Sequence, residues 1–158
     1  MTAILVVSGN PRPGSRTSTL AVAVGEAIAA HTGGFPPTVV EVGELGAGLL
    51  TPGDEATAAA VAALREAELL VVATPTYKGS YTGVLKVLLD QLPAQALAGK
   101  RAVPVVTAGV APQAAAAEAL LRQLLTELGA QVAPGLPVVE ADLPESAAIA
   151  AKYAAALT

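Results

Sequence analysis

A chain of 158 residues is the length of one domain, read here as spanning 1–158, and can bury a full core without covalent staples. It has no cysteine and one histidine, which excludes disulfide and thiolate chemistry and leaves no His/Cys cluster for a metal. A net charge of −4 argues against nucleic acid and anionic membranes as partners, and the mean hydropathy of +0.59 comes from alanine rather than from a run able to span a bilayer.

The first apolar run, Ala3–Val7, reads as a buried strand. Met1-Thr2 gives it no basic start, so no secretory leader is expected and the cytoplasm is the expected compartment. A polar turn follows, then an alanine-rich helix over Ser18–Ala30, with His31 as a solvated residue near its end. Thr38–Val42 reads as the second strand and glycine-rich Gly43–Pro52 as a surface loop. A helix over Asp54–Ala67 begins with negative charge in its first turn. Leu69–Ala73 is the third strand, and Thr82–Leu89 the next helix. Ala102–Val106 is the fourth strand, although Pro104 lacks the N–H that a central strand needs on both sides. Ala114–Leu128 is a helix closed by Gly129. A weaker strand near Leu136–Val139 and a helix over Glu145–Leu157 complete the chain. Strands alternating with helices mean a parallel sheet covered on both faces. Five strands in one domain fit a flavodoxin-like three-layer α/β sandwich with sheet order 2-1-3-4-5.

In such a sheet, ligands sit outside the carboxyl ends of the strands. Three loops therefore matter. The first, Ser8–Leu20, is a strand-to-helix turn carrying hydroxyls, the Asn10 amide, and Arg12 and Arg16. A helix N-terminus adds unpaired N–H donors, so the segment has the chemistry of a phosphate cradle. It lacks the Gly-Lys-Ser/Thr of a P-loop and the glycines of a dinucleotide fingerprint. It also lacks the acidic residues that a phosphoacceptor domain needs after its first strand. The plain alternative is a capped polar turn. The second loop, Thr74–Gly83, contains two of the three tyrosines, and Pro75 and Gly79 allow a flat ring to approach backbone. Lys78 is either solvated or near an anionic group of the ligand. The third, Thr107–Gln113, is small-residue backbone that a ring edge could approach.

Taken together, these segments resemble the NADPH-dependent FMN reductase family, and most closely its alkanesulfonate-utilisation branch. The matching residues are Gly9-x-Pro11-Arg12-x-x-Ser15-Arg16-x-Ser18-x-Leu20, then Ala73-Thr74-Pro75-x-Tyr77-Lys78. Tyr81-x-Gly83-x-Leu85-Lys86-x-Leu88-Leu89-Asp90-x-Leu92-Pro93 and Gly99-Lys100 follow. The resemblance implies FMN and NADPH or NADH as cofactors, with hydride transfer from nicotinamide to flavin N5 and no general base. By resemblance, Asn10, Arg12, Ser15, Arg16, Thr17 and Ser18 would hold the FMN phosphate. Pro75, Thr76, Tyr77 and Lys78 would line the isoalloxazine, and Thr107, Ala108 and Gly109 would approach its other edge. The resemblance also implies a homodimer or homotetramer, which fits the nearly all-apolar helix 114–128, and a flavin-dependent monooxygenase as recipient of reduced flavin. Asn10 stands where the family usually has serine, and Ala108, Gly109, Val110 and Gln113 replace a Gly-Gly-hydroxyl…His pattern. Ala119 replaces an aromatic of the alkanesulfonate branch, which leans toward bound rather than released FMN. Other readings are an FMN-containing quinone or azo reductase and a flavodoxin-like electron carrier.

Overall fold

The computed structural model describes residues 2–157. Its parallel sheet follows the expected order, with β1 (Ile4–Ser8) between β2 (Thr38–Glu41) and β3 (Leu69–Pro75), and β4 (Arg101–Ala108) beyond β3. The fifth position is shared by two short pieces, β5 (Gln131–Val132) and β6 (Leu136–Val139), both paired to the same edge of β4. Alternate residues of each strand point to opposite faces, which divides the core into two layers. Ile4, Val6, Val71, Val103 and Val105 pack against α1 (Arg16–Thr32) and α6 (Ser146–Leu157). Leu5, Val7, Leu70, Val72 and Val106 pack against α3 (Glu55–Glu66), α4 (Gly83–Asp90) and α5 (Ala111–Glu127). β1 and β3 are buried on both faces throughout, hence the apolar runs Ile4–Val7 and Leu69–Ala73.

Helix starts are set by side-chain caps. Ser15, Asp54 and Thr82 accept the backbone N–H of Ser18, Thr57 and Leu85 respectively. Hydrogen bonds from the Thr57 N–H and hydroxyl hold the Asp54 carboxyl below its ordinary pKa. The first helix thus opens earlier than Ser18, and α5 opens before Ala114. Pro112 is tolerated in the first turn of α5, whose amides have no helical partner anyway.

Gly43–Pro52 is not an open loop. Val42–Leu45 forms a turn of helix, α2, and Gly46–Leu50 a 3-10 helix that buries Leu49. Gly43 is required by proximity, since a β-carbon there would drive into the Pro11 carbonyl.

Pro104 lies within β4, and the register explains how. β4 and β5 pair Ala102 with Val132, whereas β4 and β6 pair Val105 with Leu136. Residues 133–135 therefore oppose only 103–104, a one-residue bulge. Ala102 accepts from the Ala133 N–H at 2.8 Å, so position 104, two residues on, also faces this edge. The missing N–H thus falls where the ladder is already broken. The carbonyl it would have reached, that of Ala133, instead accepts from Arg122 Nη2 at 3.1 Å. Arg122 is held in turn by Glu118 at 2.6 Å, and the Tyr153 hydroxyl donates to the Pro134 carbonyl.

The nearly all-apolar reading of the helix 114–128 resolves into two faces. Ala114, Ala117, Leu121 and Leu125 are buried, while Ala115, Ala116, Ala119 and Leu120 are exposed. Among the described residues, no helix is long and apolar enough to cross a membrane, and no group of three or more potential metal ligands occurs.

Candidate functional site

The carboxyl ends of β1, β3 and β4 open onto a cleft of about 370 Å³, within the usual range for small-ligand pockets. It lies at the switch point, where the chain leaves β1 and β3 toward opposite edges. Hydroxyls and amides bolt the three loops together. The Gly9 N–H donates to the Ala73 carbonyl at 2.7 Å, and the Thr82 hydroxyl to the Gly9 carbonyl at 2.6 Å. The Thr82 N–H donates to Thr74 Oγ1 at 3.1 Å. The Thr76 hydroxyl donates to the Thr107 carbonyl at 2.8 Å. Buried Thr17 and Thr107 share a hydroxyl–hydroxyl bond of 2.9 Å between the first and third loops.

One end of the cleft is the N-terminus of α1. Asn10, Arg12, Ser15, Arg16 and Thr17 all line it. Asn10 is buried, and its Oδ1 accepts the Arg12 N–H at 2.9 Å, which fixes the loop and leaves its NH₂ available. Ser18 N–H is taken by the Ser15 cap, while the amides of Arg16 and Thr17 find no acceptor among the described residues. Two open amides at the positive end of a 17-residue helix, hydroxyls and two guanidinium groups have the chemistry of an anion site. Ser18 is placed differently: it is buried, bonded to Ser8, Ser15 and Glu41, and absent from the cleft wall.

The other end is formed by Pro75, Tyr77 and Thr107. Tyr77 is 45% exposed, so much of its side chain is available to a ligand. It pairs with Ser80 across a two-residue turn, Tyr77 N–H to Ser80 O at 2.9 Å and the reverse at 3.2 Å. Lys78 and Gly79 form the tip with positive φ of 53° and 79°, as a primed hairpin turn requires. Lys78 therefore sits on the tip and not on the wall. Thr76 turns its hydroxyl toward β4. Ala108 is buried at the end of β4, and Gly109 is exposed beyond it; neither lines the cleft.

Two wall residues, Glu140 and Leu143, were not singled out from sequence. They follow β6, the weakest strand signal. Glu140 Oε2 lies 3.9 Å from Arg16 Nη2, with both side chains more than half exposed, so the pair contributes little to stability. A larger groove of about 520 Å³ lies beside α4, walled by Leu49, Leu50, Pro52 and Val87. Its charged lining residues are the carboxylates Asp54 and Asp90, with no arginine or lysine, so the cleft with Arg12 and Arg16 is the better candidate for an anionic ligand.

Residues 2–142 match the family described as NADPH-dependent FMN reductase. The FMN reductase (NADPH) of Escherichia coli (strain K12) is 46% identical over 68 residues, 43% of this chain and 36% of that protein. The matched stretch thus spans about a third of that relative's length. The NADH-dependent FMN reductase SfnF of Pseudomonas putida is 33% identical over 136 residues, 83% of this chain and 73% of that protein. Among solved structures, an NADH:FMN oxidoreductase (EMOB) in its apo form superposes with a TM-score of 0.83 at 32% identity, covering 100% of this chain and 91% of that one.

Proposed function

The chain belongs to the NADPH-dependent FMN reductase family, and from that premise we propose that it is an NAD(P)H-dependent FMN reductase whose flavin occupies the cleft above β1, β3 and β4. The observation that carries this reading is the pair of open amides, Arg16 and Thr17, at one end of a cleft whose other end is Pro75 and Tyr77. A phosphate needs the first and a flat ring the second. Arg12 and Arg16 supply charge, the Asn10 NH₂ supplies a donor, and Thr17 supports the floor through Thr107. Bound there, FMN would supply a hydride acceptor at N5 for the reduced nicotinamide. The chain's own part is to bind, orient and leave one ring face open. No residue is assigned as an acid or base, because hydride transfer to the flavin requires none. The exposed face of α5, with Ala115, Ala116, Ala119 and Leu120, supports self-association of the chain.

The test is oxidation of NADPH and of NADH by purified protein, with and without added FMN. Oxidation with either donor is expected, and none under any condition overturns the reading. A yellow protein that turns over without added flavin makes FMN a prosthetic group. Turnover that needs added flavin makes FMN a released substrate, suited to supplying a flavin-dependent monooxygenase.

A further inference from the structure

Glu41 ends β2, outside every motif that the sequence made conspicuous, yet its carboxylate makes two bonds to the phosphate loop. Oε2 accepts the Gly14 N–H and Oε1 accepts the Ser18 hydroxyl, each at 2.5 Å. The parallel pairing of β2 with β1, Glu41 opposite Ser8, is what brings a residue 23 positions from Ser18 beneath the loop. Gly43, two residues on, lets the same corner press against the Pro11 carbonyl.

A proton count shows what the carboxylate does. Ser18 has one hydroxyl proton and gives it to Glu41. Its contacts with Ser8 Oγ at 2.6 Å and Ser15 Oγ at 3.1 Å then require those two serines to be the donors. Ser8 is fully buried and has no other side-chain partner, so its direction is fixed. Ser15 accepts the Ser18 N–H and, by the same count, gives its proton to Ser18 Oγ, so it is held as the helix cap at the cleft wall. Glu41 itself does not line the cleft. It lies on the other side of the loop, in a shallow groove with Gly14, Ser18 and Val22. The carboxylate thus acts from behind, where it orders the donors without standing beside a bound anion.

We propose that Glu41 is a positioning residue for the flavin phosphate: it fixes Gly14 and Ser18, and with them the turn that holds the open Arg16 and Thr17 amides at the cleft. The assignment rests on the flavin reading above and gives Ser18, one of the expected phosphate ligands, a supporting place instead. A first measurement needs no flavin. Amide hydrogen exchange at Gly14 in the cofactor-free protein is expected to quicken in Glu41→Ala, and unchanged exchange overturns the bond's role. The second compares dissociation constants for FMN and for riboflavin, which lacks the phosphate. Glu41→Ala is expected to weaken FMN about tenfold, in line with the loss of ordered donors, and to leave riboflavin within about twofold. Glu41→Gln keeps the volume and one acceptor oxygen, and is expected to fall between; it carries the test should the alanine variant not fold. Equal losses for both flavins, no loss for either, or tighter FMN binding by the glutamine variant overturns the proposal. Failure of the wild-type chain to bind FMN at all overturns the flavin reading itself, while the exchange experiment still judges Glu41.

Discussion

Lys78 holds a backbone conformation that costs an ordinary L-residue about 1–2 kcal/mol, whereas glycine adopts it freely. Glycine also loses more chain entropy on folding, by about 0.5–1 kcal/mol. The difference gives Lys78→Gly a net gain of up to about 1.5 kcal/mol, read as a higher midpoint in urea. A loss would mean that the lysine side chain holds the hairpin through contacts that outweigh the strain. The buried pair Thr17–Thr107 gives the opposite kind of test. Thr17→Val leaves the Thr107 hydroxyl without its partner and is expected to cost about 1–3 kcal/mol. Adding Thr107→Val should cost much less than the second single change alone, because the orphaned hydroxyl goes with it. Additive losses in this cycle would show that the two hydroxyls are not coupled. Thr17 and Thr107 were both legible in the sequence as members of loops at strand ends. Their bond to each other was not, since 90 residues separate them and only the β1–β3–β4 pairing brings the loops together.

Elements were legible where one local signal dominated. The runs at β1 and β3 are apolar because both faces are covered, and Asp54 and Thr82, read as the first residues of their helices, are the caps one residue before them. The start of α1 was harder, because Ser15, Thr17 and Ser18 are all competent caps and only the fold selects Ser15. Short α2 and the 3-10 helix after it carry no periodic pattern, so their glycines read as loop. The broken edge beside β4 is the instructive case. Pro104 signalled a ladder defect, but the compensation lies in α5 and α6, through Arg122 and Tyr153. Arg122→Ala strands the Ala133 carbonyl and the Glu118 carboxylate, at a cost of about 1–2 kcal/mol with Arg122 partly exposed. Pro104→Val restores an N–H on the edge that Ala133 faces. In the Arg122→Ala background it should therefore destabilise less, or even stabilise, compared with its effect in the wild type. Denaturant midpoints of the four proteins measure this, and an identical effect of Pro104→Val in both backgrounds would remove the link between proline, bulge and arginine.

At the scale of the whole molecule, the two faces of α5 ask different things of their surroundings. The inner face is satisfied by the sheet through Leu121 and Leu125. The outer face presents three alanines and Leu120, which is 41% exposed, with Val110 at 53% just before the helix. Small side chains let a second helix approach closely, and Leu120 supplies apolar area at the centre of such a contact. With a net charge of only −4, long-range repulsion between copies is weak. Light scattering is therefore expected to give a mass of at least two chains, and Leu120→Arg, which sets two like charges against each other across a symmetric contact, is expected to shift it toward one. Leu120 has no place in the cleft, so the variant should keep its affinity for FMN even as it dissociates. A wild-type mass of one chain would leave the alanines as low-cost surface. Loss of FMN binding together with dissociation would instead mean that a second copy completes the site, which nothing in the cleft geometry of one chain requires.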